Sequence, residues 1–133
     1  VCHTPEYRDR ISDVESWMYL PPKAVEEYLK NNPDKPFMEC EYMQDMGNSD
    51  GGMGSYISLL DKHPQYFSGF IWDFIDQALL VKDPVSGQEV MRYGSDFDDR
   101  HSDYEFSGDG LMFADRTPKP AMQEVRYYYG LQK

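Results

Sequence analysis

Strand-like and helix-like segments alternate along the first half of the chain, and this alternation constrains the fold more than any other feature. Strand character is found in three segments, residues 11–18, 36–42 and 66–74. One helical pattern between them opens at Pro21 and Pro22 and ends before Pro33, and a second covers residues 54–62. This order predicts an α/β fold with a parallel sheet. Three strands cannot close a barrel of eight, so the chain is expected to be part of something larger.

The second half of the chain is less regular. Residues 78–93 read as a β-hairpin whose turn, at residues 83–87, contains proline and glycine. Residues 94–120 are predicted to be mostly irregular, and so long a loop is unusual in a compact domain unless it is functional. A last helix is predicted from Ala121 to about Tyr129, with Pro120 at its entry.

The chain is acidic, with 13 Lys and Arg against 24 Asp and Glu and a formal net charge of -11. This charge repels nucleic acid and anionic membranes, so neither is expected as a partner. Aromatic residues are abundant, with 11 Tyr, 7 Phe and 2 Trp, which argues against a disordered acidic tail. Aromatic rings suit a protein that presents them to a neutral ligand, and sugars are such ligands.

Two cysteines, Cys2 and Cys40, give no disulfide framework. We therefore expect a reducing compartment and a cytoplasmic location, with a surface-exposed enzyme as the alternative. No run approaches the roughly 20 apolar residues that cross a bilayer, and no charged-then-apolar leader opens the chain. Val1 without a preceding Met suggests an excised fragment or a processed subunit.

One acid, Glu41, lies at the end of the second predicted strand and shortly before a glycine-rich loop, GNSDGG at residues 47–52. Side chains at the C-terminal strand ends of an (α/β)8 barrel point into its mouth, where active sites are placed. Glu41 is therefore a candidate catalytic residue. The alternative is a solvated carboxylate at a strand end.

Four sequence strings, in order along nearly the whole chain, resemble glycoside hydrolase family 2 and specifically its β-galactosidases. They are MY at 18–19, CEY at 40–42 with MGNS at 46–49, GFIWDFIDQ at 69–77 and GLMFADRTP at 110–118. Four strings in the family's order and near its spacing argue strongly against a chance match. The resemblance implies that residues 1–133 are a single fragment of a catalytic TIM barrel, with about the last three of its strands.

The resemblance implies roles for three residues. Glu41 matches the nucleophile of a retaining glycosidase, which forms a covalent glycosyl-enzyme while a second carboxyl roughly 5 Å away serves as acid and base. Tyr19 matches a tyrosine used in galactose binding and degalactosylation, and Trp72 matches an apolar wall of the galactose subsite. The implied substrate is a terminal β-D-galactoside of the lactose type. Packing roles for Tyr19 and Trp72 are the alternatives.

The resemblance also implies an ion site and a polar sugar contact. Phe106 and Asp109 match positions that offer a backbone carbonyl and a side-chain oxygen to a sodium ion. Asp109 stands where Asn is expected, so its charge would tighten the ion, select another cation or leave the position without one. Gln44 stands where the pattern usually has a His that contacts the sugar, and it keeps hydrogen bonding without a titratable charge. The family's magnesium ligands belong to earlier strands, so no magnesium site is expected within this chain.

A second acid, Glu39, precedes the candidate nucleophile by two residues. Strict strand alternation points Glu39 and Glu41 to the same face of the sheet. Each carboxylate would then disfavour ionisation of the other and raise at least one pKa. The alternative is that Glu39 pairs with a basic group.

An essential part of the family's machinery has no match in this chain. The general acid and base lies in an Asn-Glu pair after an earlier strand, and no Asn-Glu dipeptide occurs here. Because general acid catalysis supplies a factor of about 100 to 10,000, we expect the isolated chain to be inactive. The expected partner is the remaining barrel segment or subunit, and a homo-oligomer is also open.

Two other functions stay open on the sequence alone. The chain would be a non-catalytic fragment or complementation module if its role were to cover a partner's open barrel edge. β-Glucuronidase is a lesser alternative within the family, because its nucleophile region lacks the Met-Gly-Asn-Ser run found at residues 46–49.

Overall fold

The computed structural model of the chain describes residues 12–46, 51–99 and 101–131. These residues form two compact units. Unit 1 takes its described residues from Val1–Met43, Gly51–Ile71 and Tyr127–Lys133, and unit 2 takes its own from Gln44–Asp50 and Trp72–Arg126.

Unit 1 is built on a parallel sheet. Its strands are β1 (Glu15–Met18), β2 (Phe37–Tyr42) and β3 (Tyr66–Ile71), and they lie in the order β1-β2-β3. Both pairings are parallel. The α/β fold class predicted from the sequence is confirmed, although Ile11, where the first predicted strand begins, lies outside the described residues. The third strand is shorter than predicted, because it ends at Ile71 rather than continuing to residue 74.

Two helices cross over between these strands, α1 (Pro22–Leu29) and α2 (Met53–Lys62). Pro22 occupies the first turn of α1, where its missing N–H costs no intrahelical bond. Val25 and Leu29, four residues apart on one face of α1, are buried against Phe37 of β2 in the core of the unit. The helices therefore cover one face of the sheet.

The register between β1 and β2 contains an irregularity at Cys40. Trp17 pairs with Glu39 and the next residue, Met18, pairs with Glu41, so Cys40 is the extra residue of a β-bulge. The Cys40 thiol donates a 3.3 Å hydrogen bond to the carbonyl oxygen of Trp17. A bulge of one residue reverses the face to which all later side chains of the strand point.

The bulge separates the two acids of β2. A Cβ added to Gly69 on β3 would lie 2.9 Å from the Glu39 Cβ and 3.1 Å from the Tyr42 ring, so Glu39 and Tyr42 share a face. That face carries the helices, because Tyr42 also packs edge-on against Tyr56 of α2 at 5.1 Å between ring centroids. Glu41, the neighbour of Tyr42, points to the opposite face. The prediction that Glu39 and Glu41 share a face is therefore wrong.

Unit 2 contains the predicted hairpin and a looped segment. Strands β4 (Leu79–Lys82) and β5 (Glu89–Arg92) pair antiparallel, and Arg92 forms a 3.0 Å ion pair with Asp83 at the turn. The stretch predicted to be irregular contains a 3-10 helix at Tyr104–Ser107 and isolated bridges that Met112 makes with Ile75 and Pro118. Backbone pairing thus holds part of this long loop in place.

The last helix, α3 (Ala121–Leu131), is divided between the units, with its final residues counted in unit 1. Its unit 1 part contacts the sheet through a 3.1 Å hydrogen bond between the hydroxyls of Tyr129 and Tyr42. None of the helices in the described part of the chain is long and apolar enough to cross a membrane.

Candidate active site

The C-terminal ends of β1 and β2 bring Tyr19 and Glu41 together. The Tyr19 hydroxyl donates a 2.9 Å hydrogen bond to Oε2 of Glu41. The Tyr19 backbone N–H donates a second bond, also 2.9 Å, to the carbonyl oxygen of Glu41. Tyr19 adopts a left-handed backbone conformation with φ of 54°, which turns the chain sharply after β1 and keeps the ring beside the acid. Two residues predicted to act together are therefore in direct contact.

This pair holds an accessible acid in a defined orientation. Glu41 is half-buried, and Tyr19 remains 37% exposed, so both are within reach of a ligand. A hydrogen bond to a carboxylate oxygen is charge-assisted and is stronger than a bond between neutral groups. The bond therefore fixes the carboxylate of Glu41 in one orientation.

In unit 2, two further predicted residues, Gln44 and Trp72, meet around a third, Asp109. Gln44 Nε2 donates a 3.1 Å hydrogen bond to Oδ2 of Asp109. The Trp72 side chain is also a hydrogen-bond donor to this carboxylate, and the backbone N–H of Asp73 donates a 2.7 Å bond to the Asp109 carbonyl oxygen. Gln44 and Asp109, both expected from the resemblance to differ from the family's usual residues, therefore contact each other.

The Asp109 carboxyl is almost fully buried, at 2% exposure. Burial raises its pKa, while hydrogen bonds from Gln44 and Trp72 and the charge of Lys119 act in the opposite direction. Its Oδ1 atom has no hydrogen-bond partner within the described ranges. A buried carboxylate oxygen of this kind suits a hard cation such as sodium, which takes oxygen ligands.

Trp72 and Phe106 are the exposed members of the predicted set in unit 2. Trp72 follows β3 directly, is 41% exposed and accepts a 3.3 Å hydrogen bond from the backbone N–H of Asp45. Phe106 lies in the 3-10 helix three residues before Asp109, and its ring is exposed. Among the residues that the structure describes, no three His, Cys, Asp or Glu side chains cluster as metal ligands. A sodium site here would thus depend on carbonyl oxygens as well as on Asp109.

Glu39 lies on the helix face of the sheet in unit 1, the face opposite to that of Glu41. Burial raises its pKa from an ordinary value near 4.5 to about 8, an effect that the nearby backbone N–H of Leu20 partly offsets. Neither the carboxyl of Glu39 nor the buried hydroxyl of Tyr66 has a side-chain hydrogen-bond partner in the described part of the chain. Burial and the charge of Glu39 raise the pKa of Tyr66 as well. The predicted pKa shift is present, but its cause is burial rather than the charge of Glu41.

Sequence reasoning missed a buried ion pair in unit 2. Lys119, at 4% exposure, places Nζ 2.9 Å from Oδ1 of Asp76, which is equally buried. The only signal in the sequence was position, since Asp76 belongs to the string at residues 69–77 and Lys119 directly follows the string at 110–118. A lysine between two prolines otherwise reads as a surface residue.

Comparison with known proteins identifies the family of the chain. The profile of the glycosyl hydrolases family 2, TIM barrel domain, matches residues 1–133. The β-galactosidase large subunit of Lactobacillus helveticus is 84% identical over the whole chain, and that of Leuconostoc lactis is 70% identical. The chain spans 21% of the length of each of these relatives. A β-galactosidase of Halalkalibacterium halodurans is 54% identical over 97% of the chain, which covers 12% of that protein.

A solved structure shows a similar fold. Faecalibacterium prausnitzii β-glucuronidase aligns with 98% of the chain and 24% of its own length, with a TM-score of 0.51 and 18% identity. At this identity the likeness concerns the fold alone. The match to the family profile along the whole chain, together with three parallel strands that cannot close by themselves, leads to one conclusion. The chain belongs to glycosyl hydrolase family 2, as an incomplete part of its TIM barrel domain.

Proposed function

We propose that this chain supplies the nucleophile, Glu41, and part of the sugar pocket of a retaining β-galactosidase that acts on terminal β-D-galactosides. The observation that carries the proposal is the 2.9 Å hydrogen bond between Tyr19 and Glu41 at adjacent strand ends. Relatives of high identity named β-galactosidase support the substrate class.

In this mechanism Oε1 or Oε2 of Glu41 attacks the anomeric carbon as the bond to the leaving oxygen breaks. An acid outside this chain protonates that oxygen, and the product is a galactosyl ester of Glu41. The same group then removes a proton from water, which attacks the anomeric carbon and releases the Glu41 carboxylate. Two inversions give overall retention of configuration. Tyr19 holds the carboxylate in place during both steps.

The residues around Asp109 would bind the sugar. The exposed ring of Trp72 offers an apolar surface for the C–H face of galactose. Gln44 and Asp109 offer polar contacts. Asp109 Oδ1 and the Phe106 carbonyl would hold a sodium ion, which would supply positive charge for a sugar hydroxyl. Magnesium, in this proposal, is bound by parts of the complete enzyme outside this chain.

The complete enzyme means this chain together with the remaining length seen in its relatives. Relatives named as large subunits support a partner, either the remaining barrel segment or a separate small subunit, and a homo-oligomer is a further proposal. We place the enzyme in the cytoplasm, which agrees with a sequence whose two cysteines give no disulfide framework. The isolated chain should be inactive because it lacks the acid.

The test is covalent trapping of the nucleophile in the complete enzyme. A 2-fluoro-β-galactoside with a good leaving group should inactivate the enzyme and add one fluorogalactosyl group to the peptide containing Glu41, as found by mass spectrometry. Glu41→Gln should abolish both the label and the turnover. A label on another carboxyl would overturn the assignment of the nucleophile.

A second assay tests the division of labour between segments. Nitrophenyl-β-galactoside hydrolysis is measured with the chain alone and after it is mixed with the preceding segment. Activity should appear only in the mixture, and robust turnover by the chain alone would contradict the proposal. Light scattering on the same samples reports whether the chain associates with itself.

A further inference from the structure

A single buried ammonium group touches three separate segments of unit 2. Lys119 Nζ donates hydrogen bonds to Asp76 Oδ1 at 2.9 Å, to the Gly108 carbonyl oxygen at 2.9 Å and to the Asp45 carbonyl oxygen at 3.4 Å. An ammonium group has three donors, and here all three are used. Because each N–H of the ammonium group has an acceptor, the surrounding segments are arranged specifically to bind the Lys119 side chain.

The carboxylate of the pair extends the same network. Asp76 Oδ1 also accepts a 2.8 Å hydrogen bond from the Gly110 backbone N–H, and Oδ2 accepts a 3.3 Å bond from the Tyr93 hydroxyl. Gly108 and Gly110 flank Asp109 on its two sides. The ion pair thus forms hydrogen bonds with the backbone of Gly108 and Gly110, on either side of Asp109 in the proposed sugar pocket.

The other contacts lead to the remaining pocket residues of unit 2. Asp45, whose carbonyl oxygen binds Lys119, directly follows Gln44, and its N–H donates to the carbonyl oxygen of Trp72. Each segment of unit 2 that carries Gln44, Trp72 or Asp109 is therefore linked to the pair, either directly or through one backbone bond.

We propose that Lys119 and Asp76 are a positioning pair that fixes Gln44, Trp72 and Asp109 relative to one another and thereby sets the affinity for the sugar. This inference rests on the proposed function. Apolar residues of similar size can often replace a buried ion pair without loss of stability, so such a pair contributes little to the net free energy of unfolding. The geometry that the Lys119–Asp76 pair specifies therefore explains its presence better than stability does. Displacement of binding groups by about 1 Å is enough to weaken catalysis about 100-fold.

The test compares two neutralised ion pairs in the complete enzyme. The double variant Lys119→Met with Asp76→Asn removes both charges of the buried pair, while Asn keeps an acceptor for the Gly110 N–H. Its matched control, Arg92→Met with Asp83→Asn, removes the hairpin ion pair of the same unit. The measurements are KM for a nitrophenyl-β-galactoside, the fraction of active sites counted by the fluorogalactosyl label, and the melting temperature.

We expect KM to rise about 10- to 100-fold in the buried-pair variant and to stay within about twofold in the control. A purely structural role would lower the active fraction and leave KM of the remaining sites unchanged, and that result would overturn the inference. An equal rise of KM in the hairpin control would overturn it too. If the wild-type enzyme were labelled at a residue other than Glu41, the proposed function would fail on separate grounds.

A milder variant keeps the test decisive if the double variant does not fold. Tyr93→Phe removes only the 3.3 Å bond to Oδ2 of Asp76. It should raise KM about threefold, as expected for the loss of one hydrogen bond to a charged group that positions binding residues indirectly. An unchanged KM in this variant would count against the pair as a positioning device.

Discussion

The hydroxyl of Tyr19 lies 2.9 Å from Oε2 of Glu41, and a second 2.9 Å bond joins the Tyr19 backbone N–H to the Glu41 carbonyl oxygen. One residue at the end of β1 therefore holds both the backbone and the side chain of the acid on β2. The orientation of Glu41 depends on this double link as much as on its own strand.

Replacement of Tyr19 by Phe should lower kcat of the complete enzyme about 10- to 100-fold, because one charge-assisted hydrogen bond to the carboxylate is lost. The ring and the backbone bond are kept, so the melting temperature should change little. Tyr56→Phe is the matched control, since its hydroxyl bonds to the Leu20 carbonyl oxygen on the helix side of unit 1. Steady-state kinetics on both variants give the answer, and equal losses of kcat would show that the Tyr19 hydroxyl has no special role.

The effects of substitutions at Gln44 and Asp109 on activity should be coupled. In a double-mutant cycle on kcat/KM, Gln44→His and Asp109→Asn should show a coupling energy of about 1–3 kcal/mol, because each single change disrupts the 3.1 Å bond between them. The double variant, which has the residue types usual in the family, should therefore lose less activity than the two single losses combined. Gln77 and Asp73 form an exposed amide–carboxylate bond of the same length, and the equivalent cycle there should give a few tenths of a kcal/mol. Additive losses at Gln44 and Asp109 would refute the coupling.

Glu39 should make stability fall as pH rises. Its folded pKa of about 8 exceeds its ordinary value near 4.5, so the folded state binds an extra proton between these two pH values. The free energy of unfolding then decreases through this window, by at most about 1.4 kcal/mol per pH unit. Glu39→Gln, which resembles the protonated acid, should match the wild type near pH 5 and melt at a higher temperature near pH 8.5.

Thermal unfolding at both pH values measures this difference. Glu26→Gln, on the surface of α1 where Glu26 pairs with Lys30 at 3.4 Å, is the control for loss of one carboxylate. A gap between Glu39→Gln and the wild type that stays constant with pH would rule out a raised pKa at Glu39.

Two glycines should respond oppositely to alanine. A Cβ at Gly110 would collide with the backbone of Ile75 and Asp76, so Gly110→Ala should destabilise the protein by at least about 1–3 kcal/mol. A Cβ at Gly130, in α3, meets nothing within 4 Å, and Gly130→Ala should stabilise the helix by up to about 1 kcal/mol. Urea denaturation of the two variants distinguishes the cases, and a tolerated alanine at Gly110 would show that the two segments can move apart.

Local sequence signals predicted the regular elements of this chain well. Pro22 marks the start of α1 and Pro120 directly precedes α3, because proline suits a helix entry whatever the rest of the fold does. The hairpin followed from proline and glycine in its turn. Boundaries that depend on distant contacts were less accurate, as at β3, where backbone bonds to Asp109 and Leu111 replace strand pairing beyond Ile71.

The site was predictable only in part, and for a physical reason. The resemblance indicated Glu41 and Tyr19, and the structure brings these two into contact. Strand alternation failed for Glu39, because the bulge at Cys40 follows from pairing with β1 and leaves no trace in a pattern of single residues. Lys119 was overlooked for a similar cause, since its acceptors come from three segments that only tertiary folding brings together.

The extra residue in β2 also determines which insertions and deletions this strand can accept. Removal of Cys40 alone would make Glu39 and Glu41 neighbours in a regular strand, and strict alternation would still place them on opposite faces. A one-residue change anywhere in a strand without a bulge would instead reverse every side chain after it. We therefore expect length variation in this strand, where related proteins show it, to be of a single residue at the bulge.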